Sequence, residues 1–260
     1  MTTRWNPGQY LKFTDHRSRP ALDLINQINI DQPETVYDLG CGPGNITQLL
    51  HQRWPQASLT GIDSSCEMLA KATQVSSSID WQEGDIATWS AARPADVIFT
   101  NAALHWLDNH AALFLRLFSM INPGGVLAVQ MPRNHAAKSH TLMVDTASDG
   151  PWKELLGPVL RTSPVAAPQI YYDLLVNEAA AVDIWESEYT HILEGDNAVL
   201  EWVRGTALKS LLDTFDTAHR QDWKDAFVAK YAARLNEAYP KRMDGRTLFA
   251  FRRLFIVASK

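Results

Sequence analysis

The chain has 260 residues, of which 46% are hydrophobic and 20% are charged, as in an ordinary globular protein. Its formal net charge is −5 and its basic residues are scattered, so we expect no large surface for nucleic acid. Two widely separated cysteines form neither a disulfide framework nor a metal-binding pattern. With no long apolar stretch and no signal-peptide pattern at its start, the sequence predicts a cytoplasmic protein that does not bind membranes.

Short β-prone segments alternate with helical segments through the first half of the chain. The predicted strands are residues 35–39, 57–63, 79–85, 95–104 and 125–132, and the predicted helices are residues 20–29, 45–55, 64–73 and 113–121. Ser64 or Ser65 would cap the helix at 64–73, with Glu67 supporting a capping box. The alternation predicts an α/β fold with a doubly wound, mostly parallel sheet.

The second half of the chain is less regular. Residues 136–170 contain four prolines and are expected to form short helices and loops. Long strands are predicted at residues 181–193 and 252–259, and they would pair as neighbours. The helical segment between them, at about residues 196–245, is predicted to form a cap over the carboxyl edge of the sheet, within a single domain.

Three glycines, Gly40, Gly42 and Gly44, follow the first predicted strand in the stretch TVYDLGCGPGN. The dinucleotide fingerprint is G-x-G-x-x-G, and its pyrophosphate would be repelled by Asp38, which stands just before the loop. A carboxylate at that position suits an ammonium group. S-adenosyl-L-methionine (SAM) carries an ammonium, a sulfonium, a ribose and an adenine but no phosphate, so the loop favours SAM. The alternatives are a nicotinamide-dependent dehydrogenase and a turn with no ligand.

Aspartates also end the second and third predicted strands, at the edge where ligands of such sheets bind. Asp63 is placed to accept hydrogen bonds from both ribose hydroxyls, or it caps the next helix. Asp85 is placed to accept from the adenine amino group, with Ile86 packed on the ring, or it is an ordinary turn aspartate. The three aspartates together strengthen the prediction of a SAM site.

The blocks DLGCGPG, GIDSS, EGDI and TNAALHWL, in this order, resemble the class I SAM-dependent methyltransferases. Further blocks between residues 5 and 258, among them WNPGQYLKFTDHRSRPALDL and RLFIVA, closely resemble the trans-aconitate methyltransferase family within that class. The resemblance implies a Rossmann-like, seven-stranded sheet with a terminal antiparallel hairpin. It also implies methyl transfer from SAM to a carboxylate of trans-aconitate, with S-adenosylhomocysteine (SAH) as the second product. We expect the protein to be a monomer or a weak dimer.

The same resemblance assigns cofactor-binding roles to individual positions. Tyr10 and Arg17 belong to an N-terminal lid segment, about residues 1–19, that would close over the cofactor. Asn101 would lie near the methionine end. The full cofactor-binding set is Tyr10, Arg17, Asp38, Gly40, Cys41, Gly42, Gly44, Asp63, Ser64, Met68, Asp85, Ile86, Asn101 and Ala102.

A carboxylate acceptor is already ionised at neutral pH, so no general base, catalytic dyad or metal is predicted. The other carboxylates of a tricarboxylate need cations and hydrogen-bond donors to hold them. The candidate substrate-binding residues are His105, Trp106, Arg133, Tyr171, Tyr172 and Arg253. The aromatic residues among them could instead pack in the interior, and the arginines could be solvated. Another small acid, an acyl thioester, or SAM binding without catalysis remain as alternatives.

Overall fold

The computed structural model describes residues 18–76 and 78–260, and in that part of the chain seven strands form one sheet. The strands are β1 (Thr35–Leu39), β2 (Ser58–Asp63), β3 (Asp80–Glu83), β4 (Ala95–Asn101), β5 (Ile121–Pro132), β6 (Ala181–Leu193) and β7 (Thr247–Ser259). Their order is β3-β2-β1-β4-β5-β7-β6. Strands β1 to β5 run parallel to one another, and β7 runs antiparallel to β5. The predicted α/β fold with a mostly parallel, doubly wound sheet is therefore confirmed.

Ten α-helices occur in the described ranges, most of them in the segments between strands. They are α1 (Arg19–Asn26), α2 (Asn45–Arg53), α3 (Cys66–Val75), α4 (His110–Ser119), α5 (Lys138–Ser148), α6 (Lys153–Leu156), α7 (Pro168–Leu175), α8 (Ala198–Arg204), α9 (Lys209–Thr217) and α10 (Gln221–Ala238). Short 3-10 turns lie at Leu104–Trp106 and Gly157–Val159. No helix of the described chain is both long enough and apolar enough to cross a membrane.

The described residues group into two compact units. The first comprises residues 18–132, 165–187 and 253–260, and it holds β1 to β5 with helices α1 to α4 and α7. The second comprises residues 133–164 and 188–252, and it holds α5, α6 and α8 to α10. Strands β6 and β7 contribute residues to both units.

The core of the first unit covers one face of the sheet. Successive strand residues point to opposite faces, so partners in register share a face. Ile98 and Leu127 are such partners, and both are fully buried in a cluster with Phe114 of α4 and Tyr171 of α7. The opposite face of the same strands is also buried at Phe99 and Ala128, and it carries the polar residues described below.

The second unit has its own aromatic core. Trp152 and Phe227 are fully or almost fully buried and pack edge to face, with ring centroids 5.5 Å apart. Tyr231 of α10 is fully buried, and its hydroxyl donates to the backbone oxygen of Ser139 at 2.5 Å. Tyr239 accepts a hydrogen bond from the Ser139 amide at 3.0 Å. These two tyrosines therefore tie the first turn of α5 to the region of α10.

Some predicted boundaries were wrong for local reasons. Strand β5 begins at Ile121, because Ile121 pairs with Ala95 and the ladder resumes at Val126 after an irregularity. The NPGG stretch thus lies inside β5 instead of ending a helix. Strand β7 begins at Thr247, five residues before the predicted start at 252.

The start of α3 also differs from the prediction. Its N-cap is Ser65, whose hydroxyl accepts from the amide of Met68 at 3.3 Å. Glu67 is then the second helical residue, one short of the position that a capping box requires. The predicted capping box was therefore wrong.

Replacing Tyr231 by phenylalanine should destabilise the protein, because the buried hydrogen bond to the Ser139 oxygen is lost. We expect the free energy of unfolding to fall by about 1–3 kcal/mol, measured by urea denaturation. Tyr172→Phe is a matched control, since Tyr172 is exposed and should change stability by less than about 0.5 kcal/mol. Equal effects of the two changes would contradict the assigned role of Tyr231.

Candidate active site

The glycine loop after β1 combines a tight contact with an open side. Gly40, Gly42 and Gly44 all have left-handed backbone angles, with φ of +76°, +55° and +83°. A Cβ on Gly40 would lie 2.3 Å from the Cβ of Ala103, so no other residue fits there without rearrangement. A Cβ on Gly42 would meet no described heavy atom within 4 Å. The loop is thus packed at Gly40 and accessible at Gly42, as close approach of a ligand requires.

Asp63, at the end of β2, holds the glycine loop in place. Its Oδ2 accepts from the amide of Gly42 at 2.8 Å, and its Oδ1 accepts from the amide of Ser65 at 2.9 Å. The N-cap of α3 is Ser65, so capping as the only role of Asp63 was wrong. A carboxylate has about four acceptor positions. Two remain for further donors such as the hydroxyls of a ribose.

Asp38 is a buried carboxylate directly before the loop. Its Oδ2 accepts from the hydroxyl of Thr47 at 2.6 Å, which joins the end of β1 to the first turn of α2. Burial raises the pKa of Asp38 to about 7; the Thr47 hydrogen bond opposes this and the nearby Asp63 charge adds to it. A cation close to Asp38 would favour the ionised form. Asp38 is therefore suited to an ammonium group.

Asp85 and Ile86 follow β3. The Oδ1 of Asp85 accepts from the amide of Ala87 at 2.8 Å, as in an ordinary aspartate turn, and the residue is exposed. Ile86 is buried, and its Cδ1 would be 3.5 Å from a Cβ on Gly40. Ile86 therefore lies beside the glycine loop. Contact of this pair with adenine stays a prediction.

Asn101, the last residue of β4, has a buried side-chain oxygen. The Oδ1 of Asn101 is buried and has no hydrogen-bond partner among the described residues. Ala102 has φ of +55°, which is uncommon for a residue with a side chain, and its amide donates to Gln130 O at 2.9 Å. Buried polar atoms are nearly always hydrogen-bonded. Asn101 therefore fits a ligand that donates there, such as the ammonium or a hydroxyl of SAM.

The remaining predicted cofactor residues surround the same loop. Burial raises the pKa of the Cys41 thiol, and the charges of Asp38 and Asp63 raise it further. The thiol is therefore protonated, and a nucleophilic role is disfavoured. Ser64 and Met68 are exposed at the start of α3, and their contact with a cofactor stays a prediction. Tyr10 and Arg17, with most of the predicted lid segment, lie outside the described residues.

Two aromatic residues follow β4 on the short 3-10 turn. The rings of His105 and Trp106 lie 4.7 Å apart, and Trp106 is 48% exposed. The alternative that Trp106 belongs to the core was therefore wrong. A half-exposed aromatic ring beyond the carboxyl end of a central strand is well placed for contact with a substrate.

Tyr171 has a different environment from its neighbour Tyr172. Tyr171 is fully buried, and its hydroxyl accepts from the amide of Ala166 at 3.1 Å. The same hydroxyl lies 2.7 Å from His110 Nδ1, while His110 Nε2 lies 3.0 Å from Leu104 O. This chain of bonds favours the packing interpretation of Tyr171 over contact with substrate. Tyr172 is exposed, and its role in substrate binding stays a prediction.

Arg253 of β7 is not a solvated surface residue, because it is only 7% exposed. Its Nη1 donates to Oε1 of Gln130 on the neighbouring strand β5 at 3.3 Å. Gln130 is itself fully buried and was missed by the sequence analysis. The only sequence signal is a single polar residue in the apolar stretch GVLAVQMP.

The second unit carries a local group of cations. Arg133 is half-buried, and its amide donates to Arg252 O at 3.0 Å. Burial lowers the pKa of His135 to about 4, and the charges of Arg161 and Arg133 lower it further. Arg161, which the sequence analysis also missed, thus lies in electrostatic range of His135. Among the described residues no group of three or more His, Cys, Asp or Glu side chains could hold a metal ion.

Comparisons with known proteins agree on one family. A protein-family model described as "Methyltransferase domain" matches residues 13–218. A protein of Azoarcus sp. (strain BH72) named trans-aconitate 2-methyltransferase is 46% identical, over 98% of each chain. A protein of Rhizobium rhizogenes with the same name is 43% identical, over 98% of this chain and 99% of its own. The chain therefore belongs to the methyltransferase family, and its group within that family is that of the trans-aconitate 2-methyltransferases.

Solved structures share the fold at low sequence identity. The YcgJ protein of Bacillus subtilis superposes with a TM-score of 0.58 at 12% identity, covering 93% of this chain and 98% of its own. Phosphoethanolamine N-methyltransferase 2 of Haemonchus contortus, in complex with SAM, gives 0.55 at 14% identity. This chain spans 52% of that longer protein. The predicted family and fold class are confirmed, whereas the roles of individual site residues stay predictions.

Two glycine variants separate packing from ligand access. Gly40→Ala meets both left-handed strain and the Ala103 side chain, so the free energy of unfolding should fall by about 2 kcal/mol or more. Gly42→Ala meets the strain alone and should cost about 1–2 kcal/mol. Its added methyl group would fill the open side of the loop, so SAH affinity measured by calorimetry should fall. Affinity equal to wild type in a folded Gly42→Ala protein would contradict a ligand at this loop.

Proposed function

We propose that this protein is a SAM-dependent O-methyltransferase that converts one carboxylate of trans-aconitate into a methyl ester. The observation that carries the proposal is the glycine loop, which is open at Gly42 and bordered by Asp63 and Asn101. The Oδ1 of Asn101 has no hydrogen-bond partner in the described part of the chain. Family membership and the names of the relatives support the acceptor. The compartment we propose is the cytoplasm, where the two free cysteines would stay reduced.

Different residues around the glycine loop contact different parts of the cofactor. In this proposal Asp63 accepts from the ribose, Ile86 and Asp85 contact the adenine, and Asp38 and Asn101 hold the methionine end. When bound, SAM supplies an electrophilic methyl group on a positively charged sulfur, and SAH is the product. The chain's own contribution is to bind and orient the two reactants.

The methyl acceptor, a carboxylate, determines which groups the active site needs. A carboxylate is a nucleophile without loss of a proton, so the reaction requires no general base. Positioning alone supplies roughly 7–11 kcal/mol of the barrier in well-oriented reactions. Charge is neutralised as the carboxylate attacks a sulfonium-bound methyl group, so exclusion of water by Trp106 and neighbouring side chains would favour the reaction. The donors for the other carboxylates would be His105 and Arg253. In this proposal the binding partner is a small tricarboxylate and not a nucleic acid. A monomer or weak dimer is sufficient for the reaction.

A methyl-transfer assay tests the proposed acceptor. Purified protein with SAM labelled on the methyl group should form a base-labile labelled ester with trans-aconitate, and much less with citrate or cis-aconitate. Asp63→Ala is the control for cofactor dependence, because it removes the proposed ribose acceptor. Labelled product with another acid or an acyl thioester, and none with trans-aconitate, would reject this acceptor while keeping the methyltransferase class.

The raised pKa of Asp38 predicts a pH-dependent affinity for SAM. Below pH 7 the Asp38 carboxyl is largely protonated, and above pH 7 it is ionised and attracts the ammonium group. The affinity measured by calorimetry should therefore rise about tenfold between pH 6 and pH 8, in proportion to the ionised fraction. Asp38→Asn removes this titration and should give a nearly flat profile. Identical profiles of the two proteins would exclude Asp38 from ammonium binding.

A further inference from the structure

Three adjacent strands place polar side chains on one face of the sheet, near the carboxyl ends of β4 and β5. Asn101 pairs in register with Gln130, and Gln130 lies two residues before Pro132, the partner of Arg253. Residues in register share a face, and so do residues two apart on a strand. Asp38 lies on this face as well, because it pairs with Phe99, two residues before Asn101. The face that carries Asp38 thus continues into a polar group formed by Asn101, Gln130 and Arg253.

The amide of Gln130 is the unusual member of this group. The residue is fully buried, its Oε1 accepts from Nη1 of Arg253 at 3.3 Å, and its Nε2 has no hydrogen-bond partner among the described residues. The orientation of the amide follows from its neighbour, because only oxygen can face a guanidinium. A buried donor without an acceptor destabilises the folded protein, because it has lost its hydrogen bond to water. Such a group is expected to have a ligand or a water as its partner.

The donors at this position define the chemistry of the partner. Nε2 of Gln130 carries two hydrogens, and the guanidinium of Arg253 carries only donors and a positive charge. A partner that approaches both must therefore accept hydrogen bonds and should be anionic. A carboxylate has the right charge and two oxygens to divide between the amide and the guanidinium.

We propose that Gln130 and Arg253 form a carboxylate-binding subsite, with Gln130 as a specificity-determining residue. The proposal rests on the proposed function, since both SAM and trans-aconitate bring carboxylates. The bound group is either a carboxylate of the acceptor that is not methylated or the carboxylate of the methionine end. Gln130 acts in two ways: Oε1 fixes the guanidinium, and Nε2 donates to the ligand.

Two substitutions separate these roles. Gln130→Glu keeps an acceptor for Arg253 but removes the Nε2 donors and places a negative charge where the ligand would bind. The variant should fold with a thermal stability near that of wild type, because an ion pair with Arg253 offsets the cost of burying the new charge. Gln130→Met keeps the volume and removes both the acceptor and the donors. Both variants should lose carboxylate affinity, the first by at least tenfold.

Thr100→Val is the matched control. Thr100 is also fully buried on β4, and its hydroxyl has no partner in the described part of the chain. It pairs with Val129, so it lies on the face opposite to Gln130. The control variant therefore removes an unpartnered buried polar atom of similar depth without touching the proposed subsite, and should leave all affinities unchanged.

Calorimetry on the full chain distinguishes the two sources of the carboxylate. Trans-aconitate is titrated into the SAH-saturated protein, and SAH into the free protein, for wild type and each variant. Weaker binding of trans-aconitate alone in Gln130→Glu supports the acceptor as the source, and weaker SAH binding alone supports the methionine carboxylate. Affinities equal to wild type in both titrations, with a folded variant, would overturn the subsite and leave a buried water as the partner of Nε2.

The same design separates this inference from the proposed function. If wild-type protein binds SAH but neither binds nor methylates trans-aconitate, the proposed acceptor fails. The SAH titration then still decides the subsite: weaker SAH binding in Gln130→Glu, but not in Thr100→Val, supports it, and unchanged binding overturns it. If wild-type protein methylates trans-aconitate with the same Michaelis constant as the Gln130 variants, and SAH binding is also unchanged, only the subsite fails.

Discussion

The candidate site is organised by one contact that leaves no room for a side chain. Gly40 after β1 lies against Ala103 after β4, where a Cβ on the glycine would come within 2.3 Å of the alanine Cβ. Strands β1 and β4 are neighbours at the point where the strand order reverses, so the loops beyond them diverge and form a crevice. The close contact at Gly40 fixes one edge of that crevice, whereas a Cβ on Gly42 would meet no described atom within 4 Å. The positions of Asp63, Ile86 and Asn101 follow from the same arrangement.

Two kinds of polar residue border this crevice, and they differ in whether their side chains already have hydrogen-bond partners within the protein. Asp63 and Asp38 each accept a hydrogen bond from the chain itself, which stabilises the loop before any ligand binds. Asn101 and Gln130 each keep a buried polar atom without a partner among the described residues. The first pair therefore preorganises the backbone, whereas the second pair is better satisfied when a ligand is present. Such a division is common at sites where stability is exchanged for binding.

The sheet could be predicted, and candidate cofactor residues could be named, because the signals for both are local. The glycine spacing, the aspartates at successive strand ends and the alternation of strands and helices are all visible in short stretches of sequence. Gln130 could not be predicted in the same way, since it is one polar residue in an apolar strand and its significance depends on Arg253, which is distant in sequence. Arg161 likewise becomes relevant through its charge, which lowers the pKa of His135. The capping box was mispredicted because two adjacent serines, Ser64 and Ser65, compete for one cap position.

The position of β7 has a consequence for how the sheet is completed. This strand lies between β5 and β6, although both of them precede it in the chain. Until residues 247–259 have been synthesised, β5 and β6 each present a row of backbone groups that have no neighbouring strand. A chain that ends before this point, through interrupted synthesis or degradation, would thus have two unpaired strand edges and would lack Arg253. Such a fragment would be prone to aggregation and would be a target for quality-control proteases and chaperones.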